Sequence, residues 1–247
     1  MEKDELHVVY QPVVNAKTGT CEGFEALVRW THPEMGAISP AKFIPVAEDA
    51  RLIAAIGEWV LRTACREAIN WPPDIRVAVN VSAEQLHNHQ FVACVISALA
   101  QSGLPSHRLE LEVTESVFMR EGTVATQVLE QLIGLGVRLS LDDFGTGYSS
   151  LGYLSRTKFT TIKIDRSFVV NAAKNVPEAL AIVRAVVALA DSLGMATTAE
   201  GVETEREVEM VNQLGCTKIQ GYFFGRPMPA PEARQIFDRQ RGTSAVA

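Results

Sequence analysis

The pattern that decides the fold is first complete in residues 76–102, which have the sequence RVAVNVSAEQLHNHQFVACVISALAQS. Residues 76–81 predict a short strand, and residues 83–102 carry apolar side chains at helical spacing. The same alternation continues to the end of the chain. Further strands are predicted at 109–113, 137–141, 161–164, 195–199 and 218–221, and further helices at 123–135, 177–193, 203–214 and 231–239. Alternating strands and helices indicate parallel strands with helices packed outside them.

The residues before position 76 follow a different pattern. Residues 7–14 and 21–28 predict two strands joined by a short polar connection, which is typical of an antiparallel hairpin. Residues 41–70 predict a helical stretch that ends at Pro72-Pro73. Counting the hairpin, the chain has eight predicted strands, enough to close a barrel.

We therefore expect an α/β fold, a modified TIM-like (β/α)8 barrel with one antiparallel strand from the N-terminal hairpin. An open, doubly wound sheet is the alternative. No glycine-rich dinucleotide-binding motif follows any predicted strand, which disfavours that alternative.

Length and composition suggest one domain that does not bind long nucleic acids. A barrel of 247 residues can form a single domain, and we expect it to span 1–247 with a core at about 8–238. Such a domain can also be part of a longer protein. The net charge of −6 argues against a DNA- or RNA-binding surface. No signal peptide or membrane span is evident, so we expect a cytoplasmic protein, or a cytoplasmic domain, without membrane contact.

Polar residues occur where one predicted strand after another ends. In an α/β barrel the C-terminal ends of the strands meet on one face, so these side chains are expected to converge. Each has a simpler explanation when taken alone, such as a helix cap, a turn or an ion pair. Several crowded carboxylates, with no histidine or cysteine among them, favour hard cations such as Mg²⁺ or Mn²⁺. The residues are Glu25, Asn80, Glu112, Glu115, Asp142, Asp143, Lys163, Asp165, Glu200 and Gln220.

Two other motifs could contribute to a site. Residues 142–150, DDFGTGYSS, combine an acidic pair with two glycines and predict a mobile loop beside the site. His87 and His89 form an HxH pair, but they lie in a polar stretch away from the strand ends, which disfavours a zinc site.

The sequence resembles the EAL-domain phosphodiesterases over nearly its whole length. The segment EALVRW at residues 25–30 resembles the signature from which that family takes its name. Other matching segments occur in one order along the chain. They are YQP at 10–12, FIP at 43–45, AE at 47–48, EVTE at 112–115, DDFGTGY at 142–148, KID at 163–165, AEGVE at 199–203, QGY at 220–222 and GRP at 225–227.

This resemblance implies hydrolysis of cyclic di-GMP to linear 5′-pGpG, with two Mg²⁺ or Mn²⁺ ions required and Ca²⁺ inhibitory. It implies that one ion is held by Glu25, Asn80, Glu112 and Asp142. Asp142 would also hold the second ion, together with Asp143 and, as a ligand or a base for water, Glu200. Lys163 would contact the attacking water, which places Glu25, Asp142, Asp143, Lys163 and Glu200 in the catalytic set.

The resemblance also assigns residues around this centre. Substrate contacts are implied for Gln11, Leu27, Arg29, Asp165, Gln220, Arg226 and Pro227. Glu115, with Gly145, Thr146 and Gly147, would anchor the loop that follows the acidic pair. A pair of cations about 3.5–4 Å apart can activate water and stabilise both the attacking and the leaving oxygen. Ca²⁺ prefers looser coordination and should hold the water less well.

Partners and alternatives follow from the same resemblance. Family members often form homodimers near the loop after strand five, and residues 147–156 are apolar enough for such a contact; intramolecular packing is the alternative. A sensory or GGDEF domain would be attached in a longer protein. Two other functions are a cyclic di-GMP receptor without activity and an unrelated metallohydrolase or isomerase. We expect an active enzyme because no residue of the catalytic set is missing.

Overall fold

The computed structural model describes residues 5–118, 123–145, 152, 154 and 156–244. The strands are β1 (Leu6–Asn15), β2 (Cys21–His32), β3 (Gly36–Ile38), β4 (Arg76–Val81), β5 (Leu109–Thr114), β6 (Arg138–Phe144), β7 (Thr161–Ile164), β8 (Ala196–Ala199) and β9 (Lys218–Gln220). The helices are α1 (Pro40–Asp49), α2 (Ile53–Ala68), α3 (Ala83–Leu86), α4 (Gln90–Ser102), α5 (Thr123–Gly134), α6 (Arg166–Ala173), α7 (Pro177–Ser192), α8 (Glu205–Gln213) and α9 (Ala230–Ser244). Two short 3-10 helices occupy Ser106–Arg108 and Glu115–Phe118.

Eight strands form a closed barrel. Their order is β1-β9-β8-β7-β6-β5-β4-β2, and a pairing between β1 and β2 closes the ring. Neighbouring strands from β2 through β9 in this ring pair in parallel, whereas β1 is antiparallel to both of its neighbours. The predicted barrel with one antiparallel hairpin strand is confirmed, and the open sheet is wrong.

The barrel wall separates apolar from polar side chains. Along β5, Leu109, Leu111 and Val113 belong to the apolar core, whereas Glu110 and Glu112 line a cavity shared with strands across the barrel. Successive side chains on a strand point to opposite faces, so the apolar set packs outward and the acidic pair points inward. The inside of this barrel is therefore polar, whereas the interiors of such barrels are generally filled by bulky branched residues.

Several predicted elements differ from those observed. Residues 41–70 form two helices rather than one, because Arg51 has φ +56° and the chain leaves the helical conformation between α1 and α2. The predicted helix at 83–102 is also divided, into α3 and α4. Ser82 caps α3 through a capping box with Gln85. Strand β3 and helix α6 were not predicted.

Strand β2 is longer than predicted, which changes the position of Glu25. The strand continues to His32, so Glu25 lies within it rather than near its end. However, the parallel pairing of β2 with β4 covers only Gly23–Ala26. Glu25 therefore lies near the upper limit of the parallel wall, beside the C-terminal ends of the other strands.

Candidate metal and substrate site

Lys163 is at the centre of the candidate site. Its Nζ lies 2.7 Å from Glu112 Oε2, 2.7 Å from Glu200 Oε1, 3.2 Å from Asp142 Oδ1 and 3.9 Å from Glu25 Oε2. The lysine is 2% exposed, so solvent screens these contacts little. Three strands, β2, β5 and β6, and the residue that follows β8 thus each bring one carboxylate to a single buried ammonium group.

Amide side chains fix the orientation of Glu25. Asn80 Nδ2 donates to Glu25 Oε1 at 2.6 Å, and Gln220 Nε2 donates to Glu25 Oε2 at 2.5 Å. Gln220 Nε2 also lies 3.3 Å from Gln11 Oε1. Gln11 is opposite Glu25 in the pairing of β1 with β2. The predicted residues Gln11, Glu25, Asn80 and Gln220 therefore form one hydrogen-bonded group.

A β-bulge allows both acids of the pair at positions 142 and 143 to reach the site. Between β6 and β7, Leu141 is opposite Ile162 and Phe144 is opposite Ile164, so β6 contains one extra residue. Asp143 has φ +53°, a left-handed conformation that aspartate tolerates better than most residues. In a regular strand the two side chains would point to opposite faces, but here both contribute oxygens close to Glu200.

The acidic groups have unequal proton affinities. Burial raises the pKa of Glu200 to about 8, with Asp142 and Glu25 adding to the effect and Lys163 opposing it. Burial likewise raises the pKa of Glu112 well above its usual range, and burial and Asp142 raise that of Asp143. Burial also acts to raise the pKa of Glu25, but Lys163 and the two amides outweigh it, and the net shift is downward.

The same electrostatics keep Lys163 charged. Burial acts to lower its pKa, but the carboxylates of Asp142, Glu112, Glu200 and Glu25 outweigh that effect and raise the pKa well above its usual value. One ammonium cannot compensate so many carboxylates, so the site has an excess of negative charge when its acids are ionised.

The residues present fit divalent cations. Asp142, Asp143 and Glu200 each offer an oxygen within 4.8 Å of the other two. Glu25 and Glu112 lie outside this trio but also contact Lys163. Asn80, which donates to Glu25 through Nδ2, carries a further side-chain oxygen. Every donor is oxygen, as Mg²⁺ and Mn²⁺ prefer. The trio could hold one ion, and Glu25, Asn80, Glu112 and Asp142 could supply oxygens to another.

Arg29 and Arg226 lie at the edge of the site. Arg29 Nη1 donates to Val28 O at 2.9 Å, and the Arg226 guanidinium is 4.3 Å from the centre of the Tyr222 ring. Tyr222 and Phe223 are 44% and 46% exposed. Tyr222 belongs to the QGY segment at 220–222, but the sequence assigned no role to either aromatic side chain. Leu27 and Pro227 are partly buried.

The remaining predicted residues have the following positions. Asp165 caps α6, where its side chain accepts a hydrogen bond from Ser167 N at 2.9 Å. Glu115 is 5% exposed, and neither of its carboxylate oxygens has a hydrogen-bond partner among the described residues. Gly145 has φ +93° and packs near the ring of Phe168. Thr146 and Gly147 lie outside the described residues, as does much of the predicted dimer segment at 147–156.

Comparison with known proteins gives one consistent result. The family model described as EAL domain matches residues 1–227. The bifunctional diguanylate cyclase/cyclic di-GMP phosphodiesterase MucR of Pseudomonas aeruginosa is 47% identical over 236 residues, which are 94% of this chain and 34% of that protein. An uncharacterised protein of Sinorhizobium fredii, y4lL, is 48% identical over 246 residues, or 100% of this chain and 30% of the relative.

Solved structures agree with these sequence matches. The phosphodiesterase PaMucR in complex with c-di-GMP has a TM-score of 0.89 and 46% identity, covering 94% of this chain and 95% of that one. The EAL enzyme Bd1971, with cAMP and cyclic-di-GMP bound, has a TM-score of 0.90 and 31% identity, covering 95% of this chain and 65% of that one.

Two further facts concern the chain as a whole. It spans about a third of the length of the curated relatives it matches, between 28% and 39% for the most similar ones. Within the residues that the structure describes, every helix is too short or too polar to cross a bilayer.

Proposed function

The chain belongs to the EAL domain family, whose members include cyclic di-GMP phosphodiesterases, and from this premise we propose that it hydrolyses cyclic di-GMP to linear 5′-pGpG. The observation that carries the proposal is the set of contacts made by Lys163. One buried ammonium lies within 4 Å of four carboxylates, and two amides orient one of those carboxylates.

The chemistry requires compensation of negative charge. A phosphodiester is anionic, so attack by water needs positive charge around the phosphorus and both reacting oxygens. When bound, two Mg²⁺ or Mn²⁺ ions would supply that charge and activate the water. In the proposal, Glu25, Asn80, Glu112 and Asp142 would hold one ion. Asp142 and Asp143 would hold the other, with Glu200 as a further ligand or as a base for water.

The protein side chains have separate tasks in the proposed reaction. Glu200 would act near the second ion, either as one of its ligands or as the base that accepts the proton of the attacking water. Lys163 keeps the acids in place and contacts the attacking water through Nζ. Attack at phosphorus breaks the bond to the 3′ oxygen, which takes up a proton from solvent water, so the phosphate remains on the 5′ oxygen.

Substrate binding is assigned to the rim of the site. Arg29 and Arg226 carry positive charge beside a mouth that is otherwise acidic, where they would contact phosphate or guanine. Gln11, Leu27, Asp165, Gln220 and Pro227 complete the proposed contact surface. Glu115, with Gly145, Thr146 and Gly147, would anchor the adjoining loop.

The direct test is product analysis. The protein is incubated with cyclic di-GMP and Mg²⁺, Mn²⁺ or Ca²⁺, and the nucleotides are separated by chromatography. We expect 5′-pGpG with Mg²⁺ and Mn²⁺, and inhibition when Ca²⁺ competes. Glu25→Ala should abolish product formation, whereas Glu209→Gln, which changes an exposed helical carboxylate, should not. Folded protein that binds cyclic di-GMP tightly but yields no product with either metal would reject hydrolysis in favour of a receptor.

The wider setting of the domain is part of the same proposal. We place it as a single domain over 1–247 in the cytoplasm, attached in a longer protein to a sensory or GGDEF domain. We also propose that it forms a homodimer through residues 147–156. Sedimentation at micromolar concentration should detect a species of about twice the 27.0 kDa chain mass; a monomer at every concentration would reject the dimer.

A further inference from the structure

A small polar cavity lies inside the barrel, directly below the acidic site. Its volume is about 30 Å³. Glu112, Lys163 and Gln220 line its upper end, and Glu110 and Lys218 line it further down. It therefore begins beneath the side chains that form the candidate metal site and continues along the barrel axis.

Three buried polar atoms facing this region have no hydrogen-bond partner among the described residues. They are Ser140 Oγ, Thr161 Oγ1 and Gln220 Oε1. Ser140 is 1% exposed, Thr161 2% and Gln220 4%. Buried hydroxyl and amide groups are nearly always satisfied, and a buried water molecule is a common partner.

Strand register places the two hydroxyls next to each other and under the site. Ser140 is paired with Glu112 on one side and with Thr161 on the other. Thr161 precedes Lys163 by two residues on β7, so both side chains point into the barrel. The two hydroxyls thus lie beside Glu112 and two residues before Asp142 and Lys163 on their own strands.

Building on the proposed function, we infer that this cavity binds one or two water molecules, through which Ser140 and Thr161 position Gln220 and Glu25 for metal binding. A water site needs about 10–15 Å³ and two to four polar partners, so the cavity can hold about two water molecules. Ser140, Thr161 and Gln220 supply the partners at its upper end.

The orientation of the Gln220 amide explains how the two hydroxyls influence Glu25 in the metal site. Nε2 donates to Glu25 Oε2 at 2.5 Å, which leaves Oε1 as an acceptor facing away from that contact. A water that donates to Oε1 and is held by the hydroxyls fixes the amide with its nitrogen toward Glu25. Ser140 and Thr161 are accordingly positioning residues, because they reach the ligand only through water and Gln220.

Charged residues at the lower end of the cavity also favour bound water. Glu110 and Lys218 are 6% and 8% exposed and line the same cavity, yet no ion pair within 4.0 Å joins them among the described contacts. Glu22 and Arg76 line this end as well, and within the described part of the chain no hydrogen bond or ion pair joins them to Glu110 or Lys218. Charged groups that lie close without touching need other polar partners. Water in the lower part of the cavity provides one.

Binding of Mn²⁺ tests this inference independently of turnover. Mn²⁺ affinity is measured by electron paramagnetic resonance in the absence of nucleotide, for the unmodified protein, Ser140→Ala, Thr161→Val and the double variant. Loss of an indirect contact to a metal ligand typically weakens metal binding by about 10–100-fold. We expect about a tenfold loss in the double variant and less in each single variant.

Thr160→Val is the matched control. Thr160 is adjacent to Thr161 on the chain, but its hydroxyl donates to Leu139 O at 2.9 Å, outside the cavity lining. This variant should lose some thermal stability and retain its Mn²⁺ affinity. Equal Mn²⁺ affinity in all variants would overturn the positioning role, even if their stabilities differ.

A crystal structure of the unmodified protein tests the water itself. We expect ordered water within hydrogen-bonding distance of Gln220 Oε1 and of at least one of the two hydroxyls. A dry cavity, with the hydroxyls bonded to backbone carbonyls, would overturn the inference. Ordered water and Mn²⁺ binding without hydrolysis of cyclic di-GMP would instead reject only the proposed function.

Discussion

Gln220 donates a hydrogen bond to Glu25 across 195 positions of sequence, with Nε2 2.5 Å from Oε2. The contact depends on how the barrel closes. Strand β1 lies between their strands, with Gln11 opposite Glu25 on one side and Val13 opposite Gln220 on the other. The antiparallel strand β1 therefore joins β9 to β2 and brings Gln220 within reach of Glu25.

Replacement of Gln220 by leucine should weaken metal binding with little effect on folding. The substitution keeps a similar volume but removes the hydrogen bond that orients Glu25 and helps to lower its pKa. We expect about a 10–100-fold loss in metal affinity or activity. Calorimetric titration with Mn²⁺ measures the affinity, and circular dichroism checks the fold. Unchanged affinity in a folded variant would show that Glu25 does not need this amide.

The glycine after Gln220 provides a second test, one that removes no polar group. A Cβ at Gly221 would overlap the backbone of Val202, whose N–H donates to Gln220 O at 3.1 Å. Gly221→Ala should therefore displace Gln220 and destabilise the protein by about 1–3 kcal/mol, as overpacking does. Denaturant unfolding measures the loss, and product analysis should show reduced activity.

Gly134→Ala is the control for that substitution. Gly134 is the last residue of α5, and among the described residues outside its own helix no atom lies within 4 Å of an added Cβ. Alanine there should be neutral or stabilising by up to about 1 kcal/mol. Equal losses in the two variants would indicate a general intolerance of substitution rather than a clash beside the site.

The barrel was predictable because its signal is repeated. Strand and helix alternate over more than half of the chain, and the hairpin accounts for the antiparallel strand. The errors concern local backbone conformation. Arg51 adopts φ +56° in a stretch whose apolar spacing is otherwise helical. Helix α6 is short, and its N-cap is Asp165, which the sequence suggested for the site.

The meeting of the acids was predictable from the strand ends, but their contacts were not. Periodicity indicates which residues end a strand, not that a single Nζ lies within 4 Å of four of them. It also gives no sign of the extra residue in β6, because a bulge depends on pairing between strands. No role was predicted for Ser140 or Thr161, because small hydroxyl residues are common in strands.

Asp143→Asn should separate the charge of this residue from its backbone role. Asparagine tolerates the left-handed conformation at φ +53°, so the bulge should be retained. The trio with Asp142 and Glu200 would lose one anionic oxygen donor. We expect the number of Mn²⁺ ions bound per chain to fall from two toward one, measured by electron paramagnetic resonance. Two tightly bound ions in the variant would exclude Asp143 as a necessary ligand.

The metal-free protein should become less stable as the pH rises from about 5 to 8. In the folded chain the pKa of Glu200 is raised to about 8 from an ordinary value of 4.5, so the folded state holds a proton that the unfolded state has released. Stability is greatest below the unfolded pKa and is lost as the pH rises through the folded one. The raised pKa values of Glu112 and Asp143 act in the same direction.

Thermal unfolding in EDTA at several pH values measures the slope of the melting temperature against pH. Glu200→Gln should make the slope shallower, because the group that releases the proton is gone, whereas Glu209→Gln on an exposed helix face should not change it. Saturating Mg²⁺ should also reduce the slope, since a cation compensates the ionised acids and favours their charged form. A melting temperature in EDTA that stays constant or rises between pH 5 and 8 would mean that the buried acids are compensated by the protein alone, and the electrostatic argument for divalent cations would then fail.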